Sequence, residues 1–283
     1  MKVAVEIESW KNPHSDPSAK IIETLGHAGD HETEMLAIIR SGGFSKEFPE
    51  SVQQAAHDLY EKKDQIFKEA IEDPKRKDMR GIPTMTIDPA DAKDFDDALS
   101  IQTLPNGNVE IGVHIADVSH YVAVDSPLDR EAIIRGNSVY FPERVVPMLP
   151  EALSNDLCSL RPKENRACLA MHMWIDEEGQ LQKYRIVRGL MRSEARLIYE
   201  EVQHAFETQK HDQIALINPL YEAFEILDKA RQKRGALDLD PVVCGMQGQA
   251  GAFGGAGDVG DIADDVGRLG KHIGDFRRDE GVI

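Results

Sequence analysis

The stretch Thr86-Ile87-Asp88-Pro89-Ala90-Asp91-Ala92-Lys93-Asp94-Phe95-Asp96-Asp97-Ala98-Leu99 ends a β-branched run in an acidic loop. Five carboxylates fall within ten residues, with apolar residues on both sides. β-Branched residues favour extended backbone, so the loop starts at the end of a short strand, Thr84–Ile87. Carboxylates held this close repel one another unless cations or protons compensate. A strand followed by a tight loop points Asp88, Asp94, Asp96 and Asp97 into one small volume. Hard divalent cations with all-oxygen coordination are the natural occupants, and magnesium is the common choice where a phosphate is also bound. A solvated surface charge run is the alternative reading. A calcium loop of the EF-hand type fits only its first and third positions, Asp94 and Asp96. Its fifth would be Ala98, its obligatory glycine Leu99 and its final glutamate Pro105.

Outward from this loop the pattern is mixed. Leu99–Thr103 and Val109–Ile115 form a hairpin around Asn106-Gly107, a dipeptide suited to a tight turn. A second hairpin, Leu169–Ile175 with Leu181–Gly189, turns at Glu178-Gly179. Asp125-Ser126-Pro127 opens a helix with a capping side chain and a first-turn proline. Toward the N-terminus, Val3–Ile7 and Lys20–Leu25 read as two strands, Glu34–Arg40 as a short helix and Glu50–Asp73 as one longer helix. Toward the C-terminus, helices are expected at about Ser193–Thr208 and Gln213–Lys233. This order of elements favours an α+β fold over a doubly wound sheet.

The 283 residues carry a net charge of −17, and 41% are hydrophobic, which excludes a chain disordered throughout. Eleven of the 22 glycines lie in the last forty residues, where periodicity stops, so residues 241–283 are expected to be a disordered, glycine-rich tail. No apolar run reaches the length of a membrane span or secretory signal. Cys158, Cys168 and Cys244 make no CxxC pair, which argues against disulfides and zinc and for a cytoplasmic location. His114 and His120 read as structural histidines and Cys158 as a core residue. Arg161, Lys163 and Arg166 read as phosphate contacts or as a solvated turn.

The acidic string resembles the signature of the RNB exoribonucleases, the ribonuclease II and ribonuclease R family. Further segments support the resemblance in the same order: Gly26-His27-Ala28-Gly29-Asp30, Val113-His114-Ile115-Ala116-Asp117, Asn137-Ser138-Val139-Tyr140-Phe141-Pro142, Pro147-Met148-Leu149-Pro150 and Leu153-Ser154-Asn155-Asp156-Leu157. His-Ala-Gly-Asp and Asp91-Ala92 lean toward ribonuclease R. The resemblance implies the end of a cold-shock, OB-like RNA-binding domain over 1–27, a helical linker over 28–79 and the N-terminal part of the catalytic domain over 80–240. A non-homologous tail over 241–283 follows.

The implied activity is magnesium-dependent 3′→5′ hydrolysis of single-stranded RNA to nucleoside 5′-monophosphates. In that family the aspartates matching Asp88, Asp94, Asp96 and Asp97 surround magnesium, the one matching Asp96 is the most critical for cleavage, and the tyrosine matching Tyr140 packs on the terminal nucleotide. Stacking of that kind is worth about 1–3 kcal/mol for any base; Tyr140 also reads as a strand-end core aromatic.

Relatives continue beyond Arg234-Gly235-Ala236-Leu237-Asp238 with an arginine-bearing segment and a further glutamate, neither of which occurs in residues 241–283. The expectation is a reading frame that departs from the family near Asp240. A catalytically inactive remnant that binds a divalent metal or a partner is the alternative. Family members usually carry threonine where Ile198 stands, as a possible helix cap.

Overall fold

The computed structural model describes residues 1–235 other than Pro13, Ser15, Lys46, Pro142 and Glu143; the expected glycine-rich tail lies outside the described residues. In chain order the elements are β1 (Lys2–Ser9), β2 (Ser18–Gly26), α1 (His31–Ser41), α2 (Glu50–Glu61), α3 (Lys63–Glu72), β3 (Lys77–Asp78), β4 (Met85–Asp88), β5 (Asp97–Thr103), β6 (Val109–Ala116), α4 (Pro127–Arg135), β7 (Val139–Phe141) and β8 (Arg144–Val146). They continue as β9 (Asn165–Ile175), β10 (Leu181–Arg192), β11 (Ala195–Ile198), α5 (Tyr199–Thr208) and α6 (Ile214–Lys233). The fold is α+β. Its chain divides into two compact units: Met1–His57 with Val124–Pro150, and Asp58–Ala123 with the chain from Glu151 onward.

In the first unit β1 and β2 pair antiparallel and carry α1 beside them. Glu34 fixes the junction, because its side chain accepts from the Gly29 backbone N–H and pairs with Lys2. Ser126 caps α4 by accepting from Asp129 N–H, as the Asp-Ser-Pro string predicts. At the other end of α4, Arg135 is a hub. Its guanidinium donates to the carbonyls of Ser45, Glu47 and Pro147 and lies 3.7 Å from the Phe48 ring centroid. A buried guanidinium stays charged, so these carbonyls replace the water it gives up.

The second unit is built on a seven-stranded mixed sheet in the order β11-β4-β5-β6-β9-β10-β3, parallel only at β11–β4 and β10–β3. Both predicted hairpins form, and Gly107 (φ 86°) and Gly179 (φ 76°) supply the left-handed turn positions. One face of the sheet packs Leu99, Val109, Ile111, Met173 and Ile175 against Val202 and Ala205 of α5 and Ile217, Leu220 and Tyr221 of α6.

Two expectations need correction. The single helix over Glu50–Asp73 breaks at Lys62, where the backbone (φ −96°, ψ 6°) leaves helical geometry between α2 and α3. The helix expected from Ser193 begins only at Tyr199, because Ala195–Ile198 pairs in register with Met85–Asp88 as a parallel strand. That pairing joins segments more than a hundred residues apart, and it overrides local preference.

Candidate active site

The acidic loop leaves β4 at Asp88 and re-enters the sheet at Asp97, the first residue of β5. Several contacts pin it. Phe95, buried between Asp94 and Asp96, donates its N–H to Ser159 Oγ (3.1 Å), and the same hydroxyl donates to the Lys93 carbonyl (2.8 Å). The Phe95 carbonyl accepts from Leu160 N–H, and the Asp96 carbonyl from Ala116 N–H, both at 2.8 Å. From β11, Arg196 grips the start of the loop by donating to the carbonyls of Pro89 (2.7 Å) and Ala90 (2.8 Å), with its guanidinium 5.6 Å from the Phe95 ring centroid. These bonds hold the loop through its backbone.

Asp88 is partly buried, and its Oδ2 has no hydrogen-bond partner. Burial pushes its carboxyl up to about 6. The charges of Asp97 and Asp94 add to the rise, and the Thr86 hydroxyl and Arg196 oppose it. The Asp96 carboxyl is also pushed up to about 6, by the protein around it and by Asp94 and Asp97. Asp96 nevertheless keeps more than a third of its surface open to solvent, so water on that side offsets part of the penalty that Asp88 bears. Asp88, Asp94, Asp96 and Asp97 thus share one electrostatic environment. Among the described residues, no three His, Cys, Asp or Glu side chains stand together in a metal-ligating arrangement. Mutual repulsion between the carboxylates works against such an arrangement.

This donor set suits a hard divalent cation. It offers carboxylate oxygens only, one of them buried without a partner, and two of its groups resist ionising because of burial and their like-charged neighbours. Just past the end of β6, Asp117 is fully buried and paired with Arg76 at 2.7 Å, and it accepts from the Ser119 hydroxyl at 2.6 Å. Its carboxyl is held below the usual range: burial, the largest single influence, is outweighed by the Ser119 and Arg76 hydrogen bonds and the Arg76 charge together. Cys158 is core as expected, its thiol pushed up to about 12 by burial and by the charge of Asp96.

Tyr140 lies in the other unit, on β7 opposite Val145, and 63% of it is exposed. The strand-end core reading of Tyr140 is therefore incorrect. His114 is buried, bonded through Nε2 to Ser100 Oγ at 2.9 Å, as befits a structural histidine. Arg166 lies buried against carbonyl and carboxylate oxygens, not in a solvated turn. The roles of Arg196 and Ser159 were not foreseen. Neither lies near the acidic string in sequence, and neither carries a local signal.

Residues 76–247 match the RNB domain model, and residues 1–49 match the cold shock domain model. The chain is 40% identical over 246 residues to Ribonuclease R of Thermotoga maritima, a match that covers 83% of this chain and 34% of that protein. Its fold is similar to that of Mycoplasma genitalium RNase R in complex with ribose methylated single-stranded RNA, with a TM-score of 0.75 and 28% identity over 82% of this chain and 36% of that one. Yeast Ssd1, described as a pseudonuclease, shares the fold at a TM-score of 0.60 and 18% identity, covering 78% of this chain and 27% of that one. The chain spans about a third of the length of the curated relatives it matches. With a domain match over more than half of its residues, and the acidic loop inside that match, the chain belongs to the RNB exoribonuclease family.

Proposed function

We propose that this chain carries the metal-binding core of a 3′→5′ exoribonuclease that hydrolyses single-stranded RNA to nucleoside 5′-monophosphates. The supporting observation is the partly buried Asp88 carboxylate, its Oδ2 without a hydrogen-bond partner, at a strand end beside three further aspartates and inside the RNB match. Asp88, Asp94, Asp96 and Asp97 would hold magnesium. When bound, that ion supplies a water of lowered pKa and neutralises charge developing on the phosphate. We assign the catalytic role to Asp96, which matches the aspartate most critical for cleavage in the family and keeps more than a third of its surface open to solvent. Arg196 and Ser159 act as positioning residues, since they fix the loop without using its carboxylates. Exposed Tyr140 offers a ring face to the terminal base, a contact indifferent to sequence. That the described residues form no ready three-ligand cluster favours a second reading, an inactive remnant that binds a partner and hydrolyses nothing.

An assay with 5′-labelled single-stranded RNA separates the two, run first with magnesium and then with EDTA. The first reading expects magnesium-dependent release of mononucleotides, with Asp96→Asn slower by at least about a hundredfold. No release from the purified chain overturns the first reading in favour of the second, and release by the variant equal to that of the wild type overturns the assignment to Asp96.

A further inference from the structure

Strand β10 is unlike the rest of this acidic protein. Over Leu181–Arg192 it carries Lys183, Arg185, Arg188 and Arg192 and no acidic residue, in a chain of net charge −17. Among the described residues its only partner on the outer side is β3, at Gly189 and Leu190, so the edge from Leu181 to Arg188 is open. Side chains alternate across a sheet, so Lys183 and Arg185 share a face with Trp174 and His172, their register partners on β9. On the same face stand Glu110 of β6, opposite Trp174, and Gln102 and Ser100 of β5. This is the reverse of the face covered by α5 and α6.

Three features converge there. Lys183 Nζ lies 4.3 Å from the Trp174 ring centroid, so an exposed cation rests on an aromatic platform. Beside it is a cavity of about 320 Å³, walled by Ile82 and Pro83 and lined with the polar groups of Ser100, Gln102, Glu110 and His172. Within it Glu110 Oε1 bonds to His172 Nδ1 at 2.9 Å, and the remaining carboxylate lone pairs can accept from a ligand. A platform, a base-sized cavity with an acceptor, and the two cations Lys183 and Arg185 suit a single-stranded nucleic acid.

We propose that this sheet face is a second binding site for single-stranded RNA: a base stacks on Trp174 in place of the Lys183 ammonium, an amino-bearing base enters the cavity with its amino group donating to Glu110, and Lys183 and Arg185 contact phosphates. The site is separate from the acidic loop. Gln102 is five residues along β5 from Asp97, about 17 Å, and faces the opposite side of the sheet. Only the ligand class rests on the exoribonuclease reading, because aromatic and basic groups would also bind a strand in a protein that hydrolyses nothing.

Trp10 and Trp174 are the only tryptophans, so the Trp10→Phe protein reports Trp174 alone. A cytidylate RNA hexamer, titrated into it in EDTA, is expected to quench the emission saturably. Lys183→Glu with Arg185→Glu removes two phosphate contacts, which weakens binding about 25-fold at 0.1 M salt and lowers the salt slope by about 1.4. A uridylate hexamer, which presents a carbonyl where cytidine has its amino group, is expected to bind at least about fivefold more weakly. No quench, a quench that survives the double charge reversal, or equal binding of the two hexamers overturns the proposal. Charge reversal that causes self-association without any quench in the parent also overturns it, and makes the cations a guard on an open edge. Metal-free binding is read without hydrolysis, so either the exoribonuclease reading or this one can fail alone.

Discussion

Replacing Asp88 with asparagine is expected to stabilise the metal-free protein at alkaline pH and to leave it unimproved in acid. Folding raises this carboxyl from 3.8 to about 6. A group whose folded pKa lies above its unfolded one contributes stability that is fully present below the unfolded value and is lost as pH rises through the folded one. Above pH 6, therefore, the native state holds a charged Asp88 that it would rather hold neutral. A rise of that size corresponds to about 3 kcal/mol at most. Because the side chain keeps some solvent contact, and because acid pH titrates only part of the interval, about 1–2 kcal/mol should separate pH 8 from pH 4.5.

The asparagine keeps the shape and leaves its own unpartnered amide where Oδ2 stood. That cost is the same at both pH values, so the difference between them isolates the charge. Urea unfolding in EDTA, followed by circular dichroism at pH 4.5 and 8, measures it. The variant should gain on the wild type by about 1–2 kcal/mol over that interval. Adding magnesium should then stabilise the wild type in proportion to the logarithm of ligand over Kd and do much less for the variant. A variant whose deficit is equal at both pH values, or larger at pH 8, would show that Asp88 ionises without penalty and would remove the main support for a cation at this loop.

Two other substitutions test the scaffold. Asp117→Ala leaves the Arg76 guanidinium, 2% exposed, without its carboxylate, and should cost about 3–5 kcal/mol in denaturant midpoint analysis. Adding Arg76→Met should recover much of that loss, and no recovery would mean that packing, not the uncompensated charge, sets the cost. Ile198 holds the cap position of α5 with no acceptor of its own, so the only cap bond is the one its N–H donates to Glu201 Oε2 at 3.4 Å. Ile198→Thr supplies the missing acceptor and should raise stability by about 0.5–1 kcal/mol, readable as a rise in Tm.

The parts of this fold that were legible in the sequence are those whose cause is local. Gly107 and Gly179 announce their hairpins because positive φ is a property of one residue, and Ser126-Pro127 announces α4 because a cap is a property of one turn. The acidic loop is legible for the same reason: five carboxylates in ten residues are a local statement about charge. What holds that loop is not local. Ser159 and Arg196 reach it from 64 and more than a hundred residues away. The strand that delivers Arg196 carries no signal that distinguishes it from the start of the helix that follows.

Charge shows the same division. A net −17 argues against nucleic-acid binding if it is spread evenly, but it is not: the acidic loop occupies one end of the central strands, and β10 places Lys183 and Arg185 on the sheet face away from α5 and α6. Salt screens charges beyond about 10 Å at 0.1 M, and the five residues of β5 from Asp97 to Gln102 already span about 17 Å. A strand lying on the basic face therefore responds to the cations beneath it and not to the total. Overall acidity and the proposed RNA site are compatible because Lys183 and Arg185 stand in register with the Gln102 end of β5, more than a screening length from Asp97.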